Sequence, residues 1–170
     1  IALIFAGLGL GDAHAFPAEH LKVARAALIA GDKRAARDAI EAAHEAFSSF
    51  EGVAADDVLA TYWVYSGLLA YQRKKTDGTM DAFRQALVVD RRFELDKELV
   101  DDRELRKMFE ALRGEVEGRD VVSPKVPKEM GCAQAYVDGS RVRAGDWVGV
   151  GERLAQVQCP HGDVHGLWMV

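Results

Sequence analysis

"DDVLATYWVYSGLLAYQRKKTDGTMDAFRQALVVD", Asp56–Asp90, carries the same apolar period twice, with a break between the copies. Leu59, Tyr62, Trp63, Leu69 and Ala70 recur at helical spacing, and Met80, Phe83 and Leu87 do so again. Thr76-Asp77-Gly78 between them reads as a tight turn. Asp56 or Asp57 begins the first helix, where a carboxylate suits the positive end of the backbone dipole. The pattern predicts one helix from there to about Lys74 and another over Thr79–Asp90. A turn that short makes the two antiparallel, with a shared apolar face that needs neighbours.

Neighbours of the same kind flank it. Pro17 suits a first helical turn, and His20–Ala30 follows with Leu21, Ala24 and Leu28 on one face. Gly31 can stop that helix and Asp32 can cap the next, Lys33–Phe47, which places Ala36, Ile40, Ala43 and Phe47 at helical spacing. Downstream, Asp101–Glu117 turns Leu105, Phe109, Leu112 and Val116 to one side. Residues 16–118 are therefore expected to form a helical domain, with a loop at "SSFEGVAADD", and 119–131, with Pro124 and Pro127 and no period, to be a linker.

From 132 to 170 the runs become short and are punctuated by glycine. Strands are predicted over Ala133–Val137, Ser140–Arg143, Trp147–Val150, Arg153–Cys159 and Val164–Val170, with a hairpin turn at Asp138-Gly139. Trp168 shares a strand face with Val164, Gly166 and Val170 and is expected to anchor the core of a small sandwich. The fold class expected is α+β, with N-terminal antiparallel helical hairpins followed by a small all-β sandwich.

Trp63, Gly67, Phe83, Ala86 and Asp90 fall at the spacings of the tetratricopeptide signature, and over Glu19–Asp96 the chain resembles that repeat family. An earlier copy places Ala24, Ala36, Ile40 and Ala43 in matching positions. The offset of 43 residues, from Ala24 to Gly67, exceeds the roughly 34 of a tetratricopeptide unit, and the loop from Phe47 to Asp57 can hold the excess. Tyr71, Thr79 and Arg91 depart from the pattern. The resemblance implies an α-α superhelix, with Asp101–Glu117 as a cap and a partner-binding concave face built from the first helix of each pair. Arg25, Tyr62, Tyr65 and Arg73 are the candidate contacts on such a face. The C-terminal region is similar to the PEGA family of small β-sandwiches, through "AYVDGSRV" (Ala135–Val142), "WVGV" (Trp147–Val150) and "GERLAQVQC" (Gly151–Cys159). "RAGDWVGV" stands where that family has its namesake segment. This second resemblance implies an interaction module in a bacterial envelope protein, without catalysis.

Other features bear on compartment and chemistry. Ile1–Leu10 is apolar and Ala13-His14-Ala15 resembles a cleavage site, so residues 1–15 read as the remnant of a signal peptide. Export to the periplasm, or elsewhere in the envelope, is the expectation. A formal net charge of −5 with no basic block argues against a nucleic-acid partner. In an exported protein Cys132 and Cys159 can pair, closing a loop that would stabilise a small domain by roughly 3–4 kcal/mol. The alternative is a metal site, or a hydrolytic one, using Cys159, His161 and His165, with Asp163 or Cys132 as a fourth ligand. No phosphate-binding loop, nucleophile elbow or C-x-x-C occurs, so neither an enzyme nor a cofactor is expected. The sequence thus points to an exported scaffold that binds protein partners.

Overall fold

The computed structural model describes residues 16–117, 134–143, 146, 151–158 and 164–169, apart from the side chains of Glu117, His165 and Met169. Within it, helix ends follow from the residues that stand there. Gly31 adopts the left-handed conformation (φ 72°) and closes α1 (Pro17–Ala30). Asp32 then caps α2 (Lys33–Ser49), its carboxylate accepting the N–H groups of Arg34 and Ala35 at 3.1 and 3.0 Å. The second hairpin joins α3 (Asp56–Gln72) to α4 (Thr76–Val89). Its turn lies at Arg73–Lys75, earlier than the sequence suggests, because Lys74 takes the left-handed conformation (φ 60°). Thr76-Asp77-Gly78 is instead the first turn of α4, where Asp77 favours the helix dipole and glycine costs less than in mid-helix. Asp102 caps α5 (Arg103–Glu117) through the N–H groups of Glu104 and Leu105.

The two hairpins and α5 share one apolar core. Leu59, Phe47, Phe83, Leu87 and Phe109 are fully enclosed in it. Small residues set the helix spacing: a Cβ on Gly67 of α3 would lie 2.7 Å from the Phe83 ring of α4. In the first hairpin Ala24 and Ala43 are fully buried in the corresponding places.

The described strands are β1 (Gln134–Val137), β2 (Ser140–Val142), β3 (Arg153–Gln158) and β4 (Val164–Met169). They form one antiparallel sheet of order β2-β1-β3-β4, giving the α+β class expected. Asp138 and Gly139 both have positive φ (48° and 79°), which suits the two-residue turn of a twisted hairpin. The predicted strand at Trp147–Val150 and the linker at 119–131 lie outside the described residues. The same holds for the 1–15 segment and for both cysteines.

Register puts Leu154, Gln156, Gly166 and Trp168 on one face. That face lies on the helices. Gln156 is 1% exposed, and its side-chain amide bonds the backbone of the α2–α3 loop in both directions, accepting from Ala54 N and donating to Gly52 O at 2.9 Å each. The residues that lengthen the repeat-like spacing are therefore a dock for the sheet. Gly166 permits the contact, since a Cβ there would be 2.9 Å from the carbonyl oxygen of Phe47. Trp168 is a core anchor, but its partners are helical rather than a second sheet. Val137, Arg153 and Val157, on the opposite face, are buried as well. There Arg153 pairs with Asp138 at 3.1 Å. Burial pushes the Asp138 carboxyl up and the Arg153 guanidinium down, against their mutual attraction.

Candidate functional site

Steps of three and four residues align Leu21, Arg25 and Leu28 on α1, and Val58, Thr61, Tyr65, Leu68 and Gln72 on α3. The two stripes meet in a surface seam with a cavity at each end. The first, about 180 Å³, is lined by Leu21, Lys22, Arg25, Asp57, Thr61 and Tyr65 among others. The second, about 160 Å³, lies between Leu28, Leu68 and Gln72 on one side and Leu99, Val100 and Leu105 on the other.

The connection between α4 and α5 reaches the seam at Arg25, between these cavities. Arg25 donates to Asp96 at 2.6 Å and to Glu98 at 2.9 Å, both on that connection. Its side chain is only partly covered, so the clasp is a solvent-exposed one. The Arg25 hydrogen bonds hold the Asp96 carboxyl below its ordinary value, and Asp96 in turn raises the guanidinium. Two further arginines secure the connection, Arg106 donating to Val100 O at 2.7 Å and Arg113 to Phe93 O at 2.7 Å. Near the second cavity the Tyr71 hydroxyl donates to Asp102 at 2.5 Å, which raises the phenol and lowers the carboxyl.

Of the four residues expected on a binding face, Arg25 and Tyr65 line the first cavity together. Tyr65 is largely buried, which pushes its phenol up, and the Arg25 charge opposes that shift. Tyr62 lies elsewhere, beneath the sheet. Its ring meets Phe47, Trp63 and Trp168, and its hydroxyl shares a 2.9 Å hydrogen bond with His44 Nδ1. Burial raises the Tyr62 phenol strongly, so it stays protonated and serves as a hydrogen-bonding wall. Arg73 is exposed at the end of α3 and lines neither cavity.

No family model matches the chain, and no curated protein or solved structure does so either.

The other sequence candidates are placed as follows. Cys132, Cys159, His161 and Asp163 lie outside the described residues, and so does the side chain of His165, whose backbone is in β4. Among the described residues no group of three His, Cys, Asp or Glu side chains could hold a metal ion. Nor is any described helix long and apolar enough to cross a membrane. Two participants in the seam escaped the sequence reading, Gln72 and Asp96, and away from it so did the helical setting of Trp168. Gln72 carried a faint signal, as an amide four positions after Leu68 near the end of a largely apolar helix. Asp96 carried none, since its partner is 71 residues away.

Proposed function

We propose that this chain is a non-enzymatic, exported interaction scaffold of the bacterial cell envelope. Its tetratricopeptide-like hairpins hold a segment of a partner protein along the α1–α3 seam, and its PEGA-like sheet braces those hairpins from behind. The observation that carries the reading is the seam itself. It is formed by the first helix of each hairpin, has an apolar floor with charged and hydroxyl side chains beside it, and keeps an open cavity on either side of Arg25. Support for the repeat comes from Gly67 and Phe83, whose signature spacing coincides with a close helix contact. Support for export comes from the apolar Ile1–Leu10 followed by Ala13-His14-Ala15.

A photo-crosslinking amino acid at Thr61, in the first cavity, tests this in cells that express the full chain. A similar group at Lys33, exposed on α2, serves as the control. The scaffold reading expects one defined partner segment crosslinked from position 61 and absent from position 33. Equal capture at both positions, or none at 61, would sink it.

A further inference from the structure

The two helices of the first hairpin differ on their outer sides. Every exposed residue of α2 is charged or a serine, as a solvent face requires. Those of α1 are Glu19, Lys22, Val23, Ala26, Ile29 and Ala30, one stripe at helical spacing that is mostly apolar. Val23 and Ile29 are 58% and 53% exposed, more than any other large apolar side chain of a described helix. The opposite face of α1 is apolar as well, with Leu21, Ala24, Ala27 and Leu28 buried in the core. A helix apolar on both sides is patterned for burial on both. Val23, Ala26, Ile29 and Ala30 line neither cavity, so a partner segment in the seam does not account for them.

The symmetry of the stripe identifies its occupant. Val23 and Ile29 lie three residues to either side of Ala26, and Glu19 and Lys33 lie seven to either side. At the acidic end, Glu19 is exposed and spends only Oε1, on Lys22 at 2.6 Å. At the other end, Lys33 and Arg34 stand exposed just past α1. Lys33 has no carboxylate partner among the described residues, and Arg34 has only a 4.0 Å approach to Asp38. The nearby Asp32 is turned to the α2 N–H groups. The stripe therefore carries the charge complement of each end at its other end. A two-fold, antiparallel pairing of identical helices brings those ends together. It also sets Val23 against Ile29 twice and opposes the two helix dipoles. Ala26 falls on the axis, where a small side chain lets the helices approach.

We propose that the outer face of α1 is a self-association surface. A second copy of this chain docks its own α1 there, antiparallel about a two-fold axis at Ala26, with Glu19 of each copy meeting Lys33 of the other. The surface lies apart from the two cavities, so this inference and the scaffold reading can fail independently. Sedimentation equilibrium of the full chain tests it. One helix face is less than the roughly 800 Å² per partner of a stable complex, so the dimer is weak and should form at roughly 10–100 µM. Ala26→Glu sets two like charges on the axis and should weaken association roughly ten-fold or more. Its denaturation midpoint should not move, because position 26 is exposed. Glu19→Lys and Lys33→Glu should each weaken association several-fold, and the double variant should restore it. A chain that stays monomeric at millimolar concentration overturns the proposal. So does a dimer indifferent to Ala26→Glu, or one weakened further by the double variant. A midpoint lowered by Ala26→Glu in a monomeric chain would assign the face to a contact within the chain. Binding to phosphatidylcholine–phosphatidylglycerol vesicles in place of self-association would assign it to a membrane. Either result also overturns the proposal.

Discussion

Two sides of α3 make different kinds of joint. Toward the sheet, Tyr62 and Trp63 pack under Trp168, whose ring stacks on His44 with centroids 4.6 Å apart and whose Nε1 donates to His44 O at 3.1 Å. Toward α1, Tyr65 and Gln72 border cavities, Gln72 Nε2 donates to Leu28 O at 3.2 Å, and an exposed ion pair from Arg25 to Asp96 ties α1 to the α4–α5 connection. The first joint uses uncharged hydrogen bonds and ring contacts that are largely, though not wholly, covered, where a group lost leaves a void or an orphan. The second packs buried leucines beside two cavities, and its clasp at Arg25 uses charges in solvent, which exchange partners at little cost. One helix thus has a fixed side and an addressable side, and this contrast is why the α1–α3 seam, not the aromatic cluster, is the site proposed.

The contrast breaks most readily at Trp168. Trp168→Ala removes a ring in contact with four others and should destabilise the fold by about 3 kcal/mol, read by chemical denaturation. Trp168→Phe keeps a ring but loses the donor to His44 O, a loss of about 1 kcal/mol. If the alanine variant unfolds at the wild-type midpoint, the sheet is not fixed to the helices in the way described. Gln156→Leu comes next. It preserves volume yet strands Ala54 N and Gly52 O, and an expected cost of about 2 kcal/mol sharpens the claim that the α2–α3 loop is a dock. A neutral result would mean that the loop finds water instead.

Legibility divides along the same line. Local signals were readable: Gly31 and Asp32 ended one helix and capped another, and Asp138-Gly139 turned the hairpin. Each depends on neighbours within a few residues. The Trp168 and Gln156 contacts were not readable, because they join positions more than 100 residues apart and strand alternation says only that a face is covered, not by what. The extra residues between Phe47 and Asp57 looked like slack in a repeat, and only the sheet shows their use. Of the four contacts that the tetratricopeptide resemblance implies, Arg25 and Tyr65 line the first cavity. Tyr62 shares α3 with Tyr65 but turns far enough round the helix to fall under the sheet. The turn at Arg73–Lys75 was misplaced because Thr-Asp-Gly suits both a turn and a first helical turn.

The smallest effect belongs to the clasp. Asp96→Asn removes the charge facing Arg25 but keeps a side-chain oxygen for Glu98 N, so the denaturation midpoint should barely move. Its signature is in pH. Asp96 is held below its ordinary value of 3.8, chiefly by the Arg25 hydrogen bond and next by the Glu98 N–H. A carboxyl depressed in the folded state contributes stability above its unfolded value, and that stability is lost as pH falls through the folded one. Amide signals of residues 95–99 should therefore titrate on acidification below 3.8 in the wild type, and this transition should vanish in Asp96→Asn. Asp102, lowered by Tyr71, provides the internal reference, since its own titration at Glu104 and Leu105 should persist in the variant. Trp168 and Gln156 themselves carry no titrating group, but the Glu152 charge acts on Tyr62 beneath Trp168, so only a change at the aromatic joint that is lost in Asp96→Asn reports on the clasp. A transition at Trp168 Nε1–H that tracks residues 95–99 in the wild type and vanishes in Asp96→Asn would show the two sides of α3 to be coupled, and the addressable side would then report on the fixed one.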